Sequence, residues 1–298
     1  ISMLRLERLL EWADAIGAWS LEAWSGLPSP FDHDVHRIRH QEGAIAVAES
    51  VRKWLDGSEK MSTPKDHVQD PYSFRCIPQV HGASRDVISA ARKLFENEVN
   101  AVTDNPLVFP EEDKVVSGGN FHGQPLALTL DHLTLAIHEL ASISERRTFK
   151  LMSGTRSLPA FLAKDPGLHS GYMIAQYTAA SLVSMNKQLT TPSSADNADS
   201  SNGQEDHVSM GANAALKLWK VIDNAEQVLA IEALCAAQAS DLGGMAGLGE
   251  MSPKLVKLQE SLRESVPFLS QDAYMAPLLG DALSWIKNNL PEDIDKCH

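Results

Sequence analysis

An all-α fold is what this sequence predicts, a bundle of long helices that associates with further copies of itself. Three observations carry that prediction. Apolar residues recur at helical spacing over most of the 298 residues. Ala and Leu, both strong helix formers, are abundant. Alternating runs of the β type are almost absent. Hydrophobic residues make up 43% and charged residues 22%, the balance of a packed protein and not of a disordered one.

The first helix is expected over residues 3–24, with Leu4, Leu6, Leu9, Leu10, Ala13, Ile16 and Trp19 on one face, and Pro28 and Pro30 ending it. A second covers 35–55. A polar stretch at 56–79 then precedes a third helix at 84–101. After a turn-rich segment at 103–124, Leu126, Leu130, Leu133, Ile137 and Leu140 form a helical stripe that runs to Lys150. Another helix is expected at 170–189. The polar residues 190–205 lead into a helix at 210–239, about 45 Å long by the helical rise. Its Ala214, Ala225, Ala233, Ala236 and Ala237 let neighbouring helices approach closely. Shorter helices at 253–265 and 276–289 follow. The expected organisation is a central bundle at 1–245 and a smaller helical part at 250–298. Helices this long leave apolar surface on more than one side, which predicts burial against other copies of the chain.

The net charge of −13 argues against nucleic acid or an anionic membrane as partner, since both want clustered Lys and Arg. No apolar run is expected to cross a bilayer. Cys76, Cys235 and Cys297 are far apart and in no metal-ligand spacing, so they are expected to be free thiols in a reducing, cytoplasmic compartment. His33, His36 and His40 offer imidazoles at spacings of three and four, one face of a helix. Basic neighbours crowd them, and a solvated helix start is the expectation there, with no metal.

Long loops without structure of their own are usually functional or disordered. Three such loops share one layout. Gln69-Asp70-Pro71-Tyr72-Ser73-Phe74-Arg75-Cys76 lies shortly before the third helix. Ser117-Gly118-Gly119-Asn120-Phe121-His122 lies immediately before the fourth, and Gln204-Glu205-Asp206 immediately before the long one. A helix start offers unpaired N–H groups and roughly half a positive charge. Three polar constellations at three helix starts could converge on one point suited to an anion or to developing negative charge.

These segments resemble the aromatic amino acid lyase family, the ammonia-lyases and aminomutases that use a methylidene-imidazolone electrophile. Phe31-Asp32 with His36, Arg39 and Gly43 begins the likeness. Gln69–Cys76, Glu98-Val-Asn100 through Asp104-Asn105-Pro106-Leu107, Ser117–His122, Ser144-Glu145-Arg146-Arg147 and Gln204–Met210 follow in the family's order. Two positions lean towards its histidine-specific branch. Glu205 stands where phenylalanine and tyrosine relatives carry an amide, and Met173 where plant-type phenylalanine lyases carry Lys. A carboxylate suits an imidazole because it accepts the ring N–H or balances imidazolium charge. Thr191 departs from the histidine type, which has His there, as does Ala198-Asp199, where an apolar residue and Pro are common.

The resemblance implies elimination of ammonia from L-histidine to give urocanate, with the same fold acting on tyrosine or phenylalanine, as a lyase or an aminomutase, as the nearest alternative. It implies a homotetramer with shared active sites. The family's electrophile forms from an Ala-Ser-Gly, which this sequence does not contain. The chain is therefore expected to be the C-terminal part of a longer enzyme, inactive alone and competent only to assemble. Within it, Arg75 is expected to bind the substrate carboxylate through its planar fork. Tyr72 would bond near the electrophile or move a proton; a phenol acts as a base only if cations and helix ends lower its pKa from about 10. Phe121 would pack on the electrophile or substrate ring, Glu205 would hold the imidazole or transfer a proton, and Gln69 and Met173 would line the substrate.

Overall fold

The computed structural model describes residues 2–245 and 249–296; Cys297 lies outside them. Helix α1 (Ser2–Ala23) is followed by two short helices, α2 (His33–Arg37) and α3 (Glu42–Leu55), where one was expected. His40, at φ 59°, turns the chain left-handed between them. The helical face of three imidazoles therefore does not form. His36 is buried rather than solvated, its Nε2 2.8 Å from the Pro30 carbonyl. Two single turns, α4 (Glu59–Ser62) and α5 (Tyr72–Arg75), precede α6 (Ile77–Val99). A small antiparallel hairpin, β1 (Leu107–Phe109) with β2 (Lys114–Val116), interrupts the helices. Then come α7 (Gln124–Leu151), α8 (Met173–Leu189) and α9 (Gly211–Met245). The last three are α10 (Pro253–Arg263), α11 (Met275–Asn288) and α12 (Pro291–Lys296).

Cross-links between side chains fix the directions of the five long helices. Arg5 donates to Glu226 and Trp19 to Ser240, so α1 and α9 run the same way. Lys217 pairs with Asp131 and Arg147 with Glu232, so α7 joins them in parallel. Arg85 meets Asp14 and Arg92 meets Glu7, which sets α6 antiparallel to α1. Tyr172 reaches Gln238 and Asn224 reaches Asn186, which sets α8 antiparallel to α9. One end of the bundle thus gathers the starts of α1, α7 and α9, and the other end gathers the starts of α6 and α8.

Helix α9 is the axis of the molecule. Ala225, Ala230, Ala233, Ala236, Ala237 and Ala239 are all buried, and every residue from 228 to 240 is inside. A helix apolar all round belongs in a core, and small side chains let α1, α7 and α8 close on it. Helix α7 is long and apolar enough to cross a bilayer by length and composition, contrary to the expectation from sequence. Half of its most apolar stretch is buried in this fold, and Asp131 and Arg147 tie it to α9 by ion pairs. The C-terminal helices pack back on the bundle. Trp285 of α11 meets Trp12 at 4.5 Å, and Arg8 caps the end of α11 by donating to the carbonyls of Ile286 and Asn289.

Candidate active site

Pro71 begins the single turn α5, and its carbonyl accepts from both Phe74 and Arg75. The turn has an inner and an outer side. Phe74 is fully buried and stacks on Trp24 at 5.4 Å, while the Ser73 carbonyl lies 3.5 Å from the Arg147 guanidinium. Tyr72 is thereby turned outward and is 69% exposed. The Arg75 guanidinium sits 4.5 Å from the centre of the Tyr72 ring, and its buried Nε has no hydrogen-bond partner. Gln69 is exposed on the approach to this turn, and Met173 is half-buried at the first position of α8, which starts at the same end.

Beneath that surface lies a buried charged network. Arg147 and Glu232 form a fork-to-fork pair at 2.5 and 2.8 Å, and the Ser20 hydroxyl donates to the same carboxylate at 2.6 Å. Arg147 also donates to His81 Nε2 at 3.3 Å, while His81 Nδ1 lies 3.0 Å from Asp14. Because Arg can only donate, Nε2 must accept, so the neutral ring carries its proton on Nδ1 and gives it to Asp14. Burial is the main force holding His81 below the ordinary imidazole range; Asp14 opposes the shift and Arg147 reinforces it. The network locks α1, α6, α7 and α9 together directly under Tyr72 and Arg75.

The other two loops meet at the opposite end. His122 Nε2 donates to the His207 carbonyl at 3.0 Å, and the two imidazoles stack at 5.8 Å. Asn197 binds the same strand of loop through the Val208 N–H at 2.8 Å and His207 Nδ1 at 2.9 Å. Asp131 ties the preceding turn to α7 by accepting from the Ser194 N–H at 2.8 Å. Burial alone would raise the Asp131 carboxyl, but N–H bonds from Ser194 and Ser193 and the Lys217 ammonium hold it below the usual carboxylate range. Phe121 projects outward at 58% exposure, and Glu205 is exposed, its carboxylate accepting from Ser200 at 2.7 Å. The Ser200 and Ser201 side chains push the Glu205 carboxyl below its ordinary range, so it is anionic at neutral pH. A Cβ on Gly118 or Gly119 would meet nothing within 4 Å, so this chain's own packing does not require glycine there.

Two of the three helix starts therefore lie side by side, those of α7 and α9, and the third does not join them within the chain. Arg147, under Ser73, and Gln124, at the start of α7, are separated by about 35 Å of helix. Tyr72, Arg75, Gln69 and Met173 belong to one end, Phe121 and Glu205 to the other.

The model of the family described as aromatic amino acid lyase matches residues 1–264. The chain belongs to that family. A histidine ammonia-lyase of Treponema denticola is 47% identical to this chain over 291 residues, 97% of the chain and 56% of the relative. One of Anaeromyxobacter sp. (strain K) is 51% identical over 277 residues, 91% of the chain and 54% of the relative. The crystal structure of histidine ammonia-lyase from Trypanosoma cruzi superposes with a TM-score of 0.91 at 40% identity, covering 99% of this chain and 56% of that one. The chain spans about half the length of the curated relatives it matches. Sequence reasoning missed Trp24, His67 and Arg156, which hold α5 from behind. Arg156 sits 86 positions from Asp70 and in no motif, so no local signal marks it.

Proposed function

We propose that this chain supplies two half-sites of a histidine ammonia-lyase, which removes ammonia from L-histidine to give urocanate. The observation that carries the proposal is the outward projection of the family's site residues at both ends of one rigid bundle. Tyr72 at one end and Phe121 with Glu205 at the other are exposed, and Arg75 lies half-buried against the Tyr72 ring. A second copy laid antiparallel would bring one kind of end against the other, so a complete site would draw on neighbouring copies, most simply in a tetramer.

In that site the half-buried Arg75 guanidinium receives the α-carboxylate through its planar fork. Glu205, anionic, accepts the imidazole N–H and orients the ring. The exposed ring of Phe121 closes over the substrate and excludes water. The Tyr72 hydroxyl would hydrogen-bond beside the electrophile or assist transfer of the Cβ proton, whose removal leaves the electron pair that expels the amine. The residues present fit the family's methylidene-imidazolone, since an exposed phenol and an exposed phenyl ring remain to be covered. That group, formed from an Ala-Ser-Gly outside this sequence, supplies the electrophile that makes the amine able to leave.

The reading is tested by supplying L-histidine, L-tyrosine and L-phenylalanine to the complete enzyme and following the ultraviolet absorbance of the unsaturated acid. Turnover of histidine, lowered more than about 100-fold by Glu205→Gln, is expected; unchanged histidine kinetics in that variant would overturn it. The isolated chain should associate and form no product. The rival of another class, a helical module with an assembly role only, predicts a complete protein that eliminates ammonia from none of the three.

A further inference from the structure

The carboxylate of Asp70, one residue before the Pro-Tyr of α5, has its side chain fully buried. It accepts from the Leu27 N–H at 2.6 Å, and its other oxygen lies 3.0 Å from His67 Nε2 and 3.2 Å from Arg156 Nη2. Arg156 Nη1 in turn sits 2.6 Å from His67 Nε2, and the guanidinium lies 5.6 Å from the centre of the Trp24 ring on which Phe74 stacks. Asp70 approaches the turn after α1 closely at Gly26. A Cβ there would stand 2.3 Å from Leu21 Cδ1 and 3.2 Å from Asp70 Oδ2.

Three separate segments thus converge behind α5: the turn after α1, the stretch before α5 and the loop between α7 and α8. A buried carboxylate with an N–H and a guanidinium is costly to break and holds its geometry rigidly. We propose that Asp70 and Arg156 are positioning residues, a clasp that fixes α5 from its buried side and so sets where the Tyr72 hydroxyl stands. The clasp never touches substrate; it acts through Tyr72. Its role in turnover rests on the function proposed above.

The test uses the complete enzyme. Asp70→Asn is expected to lower kcat for L-histidine by roughly 10²-fold, the cost of an ångström-sized misplacement, with KM changed far less. In a Tyr72→Phe background the same substitution should cost less than about threefold, since residues acting as a unit are not additive. Arg156→Met should behave as Asp70→Asn does, and Arg156→Lys should restore part of the loss; these two carry the test if Asp70→Asn does not fold. Independent, multiplicative losses in the Tyr72→Phe background would overturn the proposal, as would full activity of Asp70→Asn. A second readout needs no turnover. Amide hydrogen exchange at Tyr72–Cys76 should quicken in Asp70→Asn while the centre of α7 stays protected, and unchanged exchange would overturn the clasp. If the parent enzyme proves inert towards amino acids yet exchange quickens, the function fails and the clasp stands.

Discussion

Glu205 is gripped by a hydroxyl, and that grip has a consequence for how the enzyme responds to pH. The Ser200 hydrogen bond stabilises the charged carboxylate and so lowers its pKa. Removing the hydroxyl raises the pKa towards the ordinary value, because the charged form loses a donor and the neutral form loses little. If the anion is what holds the imidazole, Ser200→Ala should shift the acid limb of kcat/KM for L-histidine to higher pH and leave the plateau close to that of the parent. The full pH–rate profile checks this. A limb that stays in place would assign it to some group other than Glu205. Arg75 makes a different demand. Its fork offers two parallel donors to a carboxylate, and Lys offers a single point charge. Arg75→Lys should therefore raise KM about tenfold or more, the value of one charge-assisted hydrogen bond, as read in steady-state kinetics.

Helix α3 crosses α6 where two glycines face each other, and there the backbones are the contact. A Cβ on Gly82 would sit 2.4 Å from the Ala44 nitrogen and one on Gly43 2.2 Å from the Gly82 carbonyl oxygen. Neither partner is a flexible side chain, so the helices must part. Gly82→Ala should cost about 1–3 kcal/mol or more in a denaturant midpoint, while Gly118→Ala, in open space, should leave the midpoint unchanged. That crossing also marks where sequence stops being informative. The stripes of α1 and α7 were legible because their apolar residues recur at helical spacing, and α9 was legible from its run of small residues. The start of α6 was not: it begins at Ile77 instead of residue 84, because His81 joins the buried polar network and Gly82 packs on the α3 backbone, which breaks the apolar pattern. The end of α9 at Met245 lies beyond the expected 239, past Gly243, since packing overrides helix propensity. The hairpin was invisible because three-residue strands cannot display alternation. Motif identity gave the candidate site residues, but not their separation to two ends, which depends on α6 running against α7.

In the function proposed above the whole molecule is a rigid spacer between two half-sites, and its rigidity has a pH limit. His81 is neutral in the fold and held below the ordinary imidazole range by burial, facing Asp14, Arg147 and, through it, Glu232. In the unfolded chain it titrates near pH 6.5. Below that pH the unfolded state takes up a proton that the folded state refuses, so this contribution to stability is full above about pH 6.5 and is lost as pH falls. Denaturant midpoints should drop between about pH 7 and 5, and His81→Gln should flatten the change. Breaking the pair outright by Arg147→Met leaves Glu232 buried and unpaired, at a cost of about 3–5 kcal/mol. The spacer also makes a prediction about assembly. If each site takes Tyr72 from one copy and Glu205 from another, subunits carrying Tyr72→Phe and subunits carrying Glu205→Gln should each keep only a small residual activity alone. Mixed in equal amounts and reassembled, the two residues of a site are drawn independently. About a quarter of the sites would then hold both parent residues, and activity should return to roughly that fraction. Were the two residues drawn from a single chain, no mixture could restore any site, and the reassembled enzyme would stay as inactive as its parts.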